Sequence, residues 1–244
     1  MRIKLTIEYN GKDFSGWQSQ PNGNAVQDYL EGALSNFLGG QSVRIYGAGR
    51  TDVGVHAVGQ VAHFDTDKRI NPFKLCLGVN LSLPEGIAVT NAEVVSDDFD
   101  ARFGAKSKTY CYGLYVSPTR KPLLDTTRCQ LYSMPNVEKM QQAATLLCGE
   151  HNFAAFQKSG SNLKGTVRTV NSLTVTQQGQ LIDIQINGNA FLYNMVRIIA
   201  GTLVAVGNGK ISLDDVKDML ATGKRKTGIK TLCSKGLTLK EVIY

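Results

Sequence analysis

Hydrophobic and polar residues alternate in several short runs of the chain, and elsewhere apolar residues recur at helical spacing. Residues 3–9 alternate and predict a strand, whereas residues 25–38 carry apolar side chains three and four positions apart, which predicts a helix. Asn24 and Gln27 are typical of a capping box at its start. Further elements are predicted as strands at 43–47, 58–65 and 87–95 and a helix at 72–81. The first hundred residues therefore have the order β-α-β-β-α-β of a ferredoxin-like unit, with helices on one face of a mostly antiparallel sheet.

The rest of the chain repeats a similar order of elements without a sequence repeat. Its predicted elements are a strand carrying Tyr110 and Tyr112, a helix from Pro135 to about Cys148, a hairpin over 167–186, an apolar helix over 191–206, a helix over 213–221 and a strand over 237–243. Residues 157–166 are rich in Ser, Gly and Lys and predict a loop. We predict an α+β fold of two such subdomains, residues 1–105 and 106–244, related by a pseudo-twofold axis.

Candidate chemistry is concentrated in residues 46–57, Y-G-A-G-R-T-D-V-G-V-H-A. A strand leads into a turn framed by glycines, and the turn presents Arg50 and Asp52. Because a nearby cation favours the ionised form of a carboxyl group, Asp52 suits covalent or general-base catalysis. A plain hairpin turn with two solvated charges explains the same residues, and the local pattern by itself slightly favours this plain turn.

Composition limits the class of protein. The chain has 244 residues, 42% hydrophobic and 19% charged, enough to bury a core in one large domain or two small ones. Its five cysteines are odd in number, scattered and without a C-x-x-C pair, which predicts neither a disulfide framework nor a zinc site and fits a reducing cytosol. The three histidines lack ligand spacing, so we predict structural roles for His56, His63 and His151.

Charge is unevenly distributed along the chain. The net charge is +7, with −3 in residues 1–105 and +10 in residues 106–244. A basic half indicates an acidic partner such as nucleic acid, although ordinary solubility charge is the alternative.

The apolar run over 190–206 contains Asn194 and Arg197, which favours a buried helix over a membrane span. Arg197 in such a helix requires an acidic or phosphate partner unless its head group reaches the helix edge.

The motif G-A-G-R-T-D-V-G-V-H-A resembles the signature of the TruA family of tRNA pseudouridine synthases. The resemblance extends to other segments, from Tyr9 to Tyr244. The segments are G-W-Q-S-Q at 16–20, V-Q-D-Y-L-E-G-A-L at 26–34, F-D-A-R at 99–102 with K-T-Y-C-Y at 108–112, F-L-Y-N-M-V-R at 191–197, and G-L-T-L with Val242 and Tyr244 at the end of the sequence. One departure precedes the last segment, where Leu232-Cys233 stands in place of the usual Ala-Pro.

The resemblance implies roles for four residues. Asp52 is the catalytic residue, Tyr110 lies against the target base, Arg197 pairs with the catalytic aspartate, and Leu237 lies near the target uracil. Arg50, beside the aspartate, is our candidate to hold the displaced RNA arm.

The function implied by the resemblance is isomerisation of uridine to pseudouridine in the anticodon arm of tRNA, at positions 38 to 40. It also implies a homodimer. We further predict a catalytic cleft between the subdomains, a cytoplasmic location, and a reaction that uses neither cofactor nor metal. A non-catalytic basic RNA-binding protein is the alternative. A weaker alternative is a hydrolase using Asp52 and His56, but no G-x-S-x-G or comparable nucleophile accompanies them.

Overall fold

The computed structural model describes residues 1–21, 23–158 and 165–244. By its internal contacts the chain divides into unit 1, Met1–Lys106 with Leu239–Tyr244, and unit 2, Ser107–Thr238. The predicted subdomains, their pseudo-twofold relation and the cleft stay predictions. Within the loop predicted over 157–166, residues 159–164 lie outside the described part of the chain.

Unit 1 has the predicted order of elements. They are β1 (Arg2–Tyr9), α1 (Val26–Phe37), β2 (Tyr46–Gly47), β3 (His56–Asp65), α2 (Pro72–Asn80) and β4 (Ile87–Val95). β1 pairs antiparallel with both β3 and β4, so the prediction of an α+β fold with mostly antiparallel strands is confirmed. β2 is shorter than the strand predicted over 43–47, because regular pairing with β3 is limited to two residues.

Alternation in β1 explains the core of unit 1. Ile3, Leu5 and Ile7 point to one side and are fully buried, while Leu30 and Leu34 of α1 are buried as well. Removal of these side chains from water is the main stabilising contribution that the sequence pattern encodes.

The start of α1 differs from the predicted capping box. The amide of Ala25 donates to the carboxylate of Asp28 (3.0 Å), whereas the side chain of Asn24 donates to the carbonyl of Asp13 (3.0 Å). The capping prediction for Asn24 and Gln27 is therefore wrong. Gln27 is instead buried, and its amide group donates to Glu31 at 2.7 Å.

Unit 2 contains a second antiparallel sheet segment. Its elements are β5 (Ser107–Val116), α3 (Pro122–Asp125), β6 (Cys129–Leu131), α4 (Val137–Leu146), β7 (Gly149–Asn152), β8 (Val167–Gln178), β9 (Leu181–Gly188), α5 (Met195–Gly207) and α6 (Leu213–Thr222). The strand order is β5-β9-β8-β7, and β6 pairs parallel with β5. The sequence pattern missed α3, β6 and β7, because elements of three or four residues are too short to show a hydrophobic period.

Helix α5 begins later than its apolar sequence suggests. Asn194 has a left-handed backbone (φ 61°), so the helix starts at Met195 and not at 191. Arg197 consequently lies in the first helical turn, whereas Ile198, Ile199 and Leu203 are fully buried. Within the described ranges, no helix combines the length and the apolar character that crossing a membrane requires.

The last strand, β10 (Leu237–Ile243), confirms the prediction over 237–243. From Leu239 onward its residues belong to unit 1, where β10 lies beside β3 and completes the order β4-β1-β3-β10. The amide of Lys106 donates to the carbonyl of Ile243 (2.7 Å), and the hydroxyl of Tyr244 donates to the carbonyl of Ala101 (2.7 Å). The end of the sequence is thus fixed onto unit 1.

A disulfide joins Cys129 and Cys233 within unit 2, with a Cα–Cα distance of 6.5 Å and a sequence separation of 104. The expectation that the cysteines form no disulfide is therefore wrong. Spacing gave no indication of this pair because β6, which carries Cys129, was not visible in the sequence pattern.

Candidate active site

The Arg-Thr-Asp turn lies between β2 and β3 and is held from both sides. Its entry is fixed by pairing of Gly47 with Ala62 and by donation from the amide of Ala48 to the carbonyl of Val61 (2.7 Å). The side-chain amide of Gln60, fully buried, donates to the carbonyl of Gly49 (3.0 Å). The turn therefore leaves the sheet with a defined backbone.

Thr51 is held by Trp17 and Tyr9, and Asp52 is held by Val55 within the turn. The carbonyl of Thr51 accepts from the amide of Trp17 (3.1 Å), and its hydroxyl shares a buried hydrogen bond with the hydroxyl of Tyr9 (2.8 Å). The carbonyl of Asp52 accepts from the amide of Val55 (3.1 Å). The backbone of Asp52 is thus fixed while its side chain stays partly exposed.

Gly16 permits this close contact. It has φ +91°, and a Cβ there would lie 2.7 Å from the carbonyl oxygen of Thr51. A side chain at this position would be strained and would also push the turn away. Sequence analysis did not identify Gly16 or Tyr9 as parts of the site. The resemblance of the G-W-Q-S-Q segment gave no role to Gly16, and the position of Tyr9 at the end of a predicted strand gave no role to Tyr9.

Replacing Gly47 by alanine is expected to destabilise unit 1. A Cβ at Gly47 would lie 2.5 Å from ring atoms of Trp17, which is only 2% exposed, so overpacking should cost about 1–3 kcal/mol of unfolding free energy. Gly32→Ala is the matched control, because Gly32 lies in α1 with nothing within 4 Å of its added Cβ, and it should gain roughly 0.5–1 kcal/mol. Urea unfolding measures both, and an unfolding free energy for Gly47→Ala that is not below the wild-type value contradicts the packing argument.

The histidines have structural hydrogen bonds, as predicted. Nδ1 of His56 accepts from the amide of Gly11 (3.0 Å), and its ring is buried. Nδ1 of His63 accepts from the amide of Ala101 (3.1 Å), and burial lowers the pKa of His63. Nε2 of His151 lies 2.8 Å from the carbonyl of Cys148. The role of His56 in holding the backbone weighs against a hydrolase built on Asp52 and His56.

Among the predicted site residues, Arg50 and Asp52 share one turn of unit 1, and Arg50 is exposed. A carboxylate on a fixed turn suits nucleophilic or general-base chemistry, and an exposed guanidinium suits contact with a phosphate. Within the part of the chain that the structure describes, no three His, Cys, Asp or Glu side chains are grouped so that they could hold a metal ion.

Tyr110 lies in β5 of unit 2, opposite Ile186 of β9. Its ring is 9% exposed and packs edge-to-face against Phe191, with 5.2 Å between ring centroids. Leu237, at the start of β10, is 7% exposed. Tyr110 and Leu237, the two residues predicted to contact the substrate, are therefore well packed. Their side chains are held in place before a ligand binds.

Arg197 is oriented by two neighbours in unit 2. Its Nε donates to the carbonyl of Leu232 (2.8 Å), and its Nη1 donates to the side-chain carbonyl of Asn194 (2.7 Å). Because a guanidinium is planar, two such hydrogen bonds fix both its position and its plane.

Tyr112, two residues from Tyr110, is a supporting residue that the sequence did not reveal. Its ring is fully buried, and its hydroxyl donates to the carbonyl of Cys233 (2.7 Å). Burial raises the pKa of Tyr112, so the hydroxyl remains a donor at neutral pH. Tyr112 thereby supports Cys233, which follows Leu232, the residue whose carbonyl accepts from Arg197.

The antiparallel α+β fold and the Arg-Thr-Asp turn match the class of pseudouridine synthases. The chain belongs to the tRNA pseudouridine synthase family, whose sequence profile matches residues 5–104 and 143–244.

Relatives named tRNA pseudouridine synthase A are similar over the whole chain. The protein of Ruminiclostridium cellulolyticum is 43% identical over 244 residues, covering 100% of this chain and 99% of the relative. That of Ralstonia nicotianae is 44% identical, covering 100% of this chain and 90% of the relative. That of Acetivibrio thermocellus is 41% identical, with 99% of both chains covered.

Proposed function

We propose that this protein isomerises uridine to pseudouridine in the anticodon stem-loop of tRNA, at positions 38 to 40, with Asp52 as its catalytic residue. The reaction breaks the bond from ribose C1′ to N1, turns the uracil and joins C1′ to C5. It requires neither an oxidant nor an added group, so the proposal includes no cofactor or metal. The observation that carries it is the fixed turn bearing Asp52 in a member of the tRNA pseudouridine synthase family.

The other site residues are assigned supporting roles. A target uridine in a stem must leave its stack to reach a carboxylate, and Arg50 holds the displaced arm. Tyr110 stacks on the extruded base, and Leu237 provides an apolar contact to the uracil. Arg197 pairs with the carboxylate of Asp52. That carboxylate attacks C1′, attacks C6 or removes the C2′ proton, and all three routes require its ionised form.

Release of tritium from tRNA labelled at uridine C5 tests the proposal, because forming the new bond at C5 frees that atom. Bulk tRNA should release tritium on incubation with the protein. A transcript with cytidine at positions 38 to 40 is the matched control and should release none. Binding of tRNA without release contradicts the proposal and supports the alternative, a non-catalytic basic RNA-binding protein.

Binding of tRNA is expected to weaken steeply with salt, because unit 2 carries 16 Lys and Arg against 7 Asp and Glu. Lys224 is the exposed test position in the basic run 224–226. The two following residues are engaged within unit 2, since Arg225 donates to the carbonyls of Ala155 and Gln157 and Lys226 bridges Asp215 and Asp218.

If Lys224 contacts a phosphate, Lys224→Ala should lower the slope of log affinity against log salt by about one unit. Lys74→Ala, at an exposed position of the net-acidic unit 1, serves as control and should leave the slope unchanged. Filter binding at several salt concentrations measures both. An unchanged slope for Lys224→Ala makes Lys224 an ordinary solvated charge.

The proposal also includes a homodimer located in the cytoplasm. Three apolar side chains on one face at α2 support an interface, because Phe73 is 71%, Leu77 57% and Leu81 89% exposed. Sedimentation equilibrium at micromolar concentration should give the mass of two chains, and the mass of one chain contradicts the dimer.

A further inference from the structure

The segment that holds Arg197 is the irregular stretch Leu232–Cys233, here called the 232–233 segment. Leu232 and Arg197 are bonded reciprocally, since Nε of Arg197 donates to the carbonyl of Leu232 (2.8 Å) and the amide of Leu232 donates to the carbonyl of Arg197 (3.3 Å). The next carbonyl, of Cys233, accepts from the hydroxyl of Tyr112 (2.7 Å). The position of the guanidinium therefore depends on where this segment lies.

Further contacts flank the segment, and Cγ of Leu232 itself lies near α5, 3.6 Å from where a Cβ at Gly201 would be. On one side Lys230 lies so close to α5 that a Cβ at Gly201 would collide with its carbonyl oxygen. On the other side the ammonium of Lys235 pairs with Asp125 at 2.6 Å. Residues 231–233 themselves belong to no helix or strand, so no ladder of hydrogen bonds resists their movement.

The disulfide to Cys129 is the covalent attachment of the segment. Cys129 begins β6, which pairs with β5 at Leu114, so it belongs to the sheet of unit 2. Two bonded sulfurs lie about 2 Å apart, whereas unbonded atoms require about 3.5–4 Å. Reduction therefore obliges Cys233 to rotate its side chain or to move away from β6. The carbonyl of Cys233, which accepts from Tyr112, belongs to the residue that must move. The carbonyl of Leu232, which accepts from Arg197, belongs to the residue before it.

We propose that Leu232 is a positioning residue for Arg197, and that the Cys129–Cys233 disulfide makes this positioning, and thus turnover, depend on redox state. The inference rests on the proposed function of the site. Both cysteine residues are partly exposed, and the proposal requires that small thiols and disulfides reach their sulfurs. In a reducing cytosol the pair is a dithiol, and oxidising conditions raise the rate by fixing Arg197.

The oxidant belongs to the class of low-molecular-weight disulfides. One cysteine thiolate attacks a sulfur of oxidised glutathione, forming a mixed disulfide and releasing one glutathione thiol. The second cysteine then displaces the second glutathione. Two cysteine thiols are oxidised, one glutathione disulfide is reduced to two thiols, and the two protons end on the released glutathione.

The test compares the wild-type protein oxidised with glutathione disulfide and reduced with dithiothreitol, in the tritium-release assay. The thiol state is read independently from the mass added by maleimide. A misplacement of about 1 Å costs up to 10²-fold, so reduction should lower kcat by about 3- to 10-fold. KM for tRNA should change less than kcat, and reoxidation should restore the rate. Because partial unfolding also lowers the apparent kcat without changing KM, circular dichroism of the oxidised and reduced forms, which should coincide, separates misplacement of Arg197 from a general loss of structure.

Three variants complete the test. Cys129→Ser and Cys233→Ser should show the reduced-form rate under both conditions. Cys148→Ser is the matched control, because Cys148 lies outside the disulfide and its thiol donates to the carbonyl of Ala144 (3.6 Å), and it should respond like wild type.

Equal kcat in the two forms, or no maleimide-resistant pair after oxidation, overturns the redox inference while the proposed function stands. A confirmed disulfide with no tritium release in either form overturns the proposed function, and the inference falls with it. The two failures are therefore distinguishable.

Discussion

Replacing Asp52 by asparagine should reduce pseudouridine formation below detection while tRNA binding survives. Asparagine keeps the shape of the side chain but removes the charge, the nucleophile and the base. Phosphate contacts dominate affinity for nucleic acid, so binding should persist and could improve when a negative charge leaves an RNA-facing surface. Tritium release and filter binding, measured on the same preparation, check the two parts.

The fold of Asp52→Asn should also survive, because the turn is held by the main chain of Thr51 and Asp52 and by Tyr9. Breaking a fully buried ion pair costs about 3–5 kcal/mol, and the loss here should be smaller since Asp52 is partly exposed. Asp98→Asn is the matched control, an exposed aspartate of unit 1, and should keep full activity. A folded Asp52→Asn protein with wild-type turnover would refute the catalytic role.

Replacing Arg197 by lysine should damage turnover more than stability. The guanidinium donates to Leu232 and Asn194 through separate nitrogens, and a single ammonium does not reproduce this geometry. A misplaced cation should lower kcat by roughly 10- to 100-fold. Loss of one hydrogen bond should lower the unfolding free energy by about 1 kcal/mol. Steady-state tritium release and urea unfolding measure these quantities.

Arg128→Lys is the control for this substitution. Arg128 also uses two nitrogens, donating to Asp183 at 2.8 and 3.3 Å within unit 2, but the proposal gives it no part in the reaction. It should lose a similar amount of stability and keep its turnover. If both variants lose turnover equally, the effect at Arg197 reflects general disturbance of unit 2.

Most long elements of the fold were predictable from periodicity. β4 and β10 have the predicted bounds, and α1 differs by one residue at each end, because each buries one face and so shows a clear period of two or 3.6. The start of α5 was not predictable, since Phe191, Leu192 and Tyr193 continue the apolar run and only the left-handed backbone of Asn194 sets the helix start at Met195. Local geometry at one residue overrides composition there.

The site was predictable in part, and for a different reason. The resemblance gave the roles proposed for Asp52, Tyr110 and Arg197, and these stay predictions until activity is measured. The supporting residues were not predictable, because Tyr9, Tyr112 and Leu232 act through contacts between positions far apart in sequence. The Cys129–Cys233 disulfide was not predicted either. The two cysteines are far apart in sequence, and Cys129 lies in a strand of only three residues, which shows no hydrophobic period.

The return of β10 to unit 1 has a consequence for synthesis of the protein on the ribosome. Unit 1 combines residues 1–106 with residues 239–244, so its sheet lacks a strand until residues 239–243 have been translated. During that time much of one edge of β3 has unpaired amides and carbonyls, which invite pairing with other chains. The nascent protein is therefore prone to aggregate in the interval between synthesis of β3 and synthesis of residues 239–243, and chaperone binding should be concentrated in that interval.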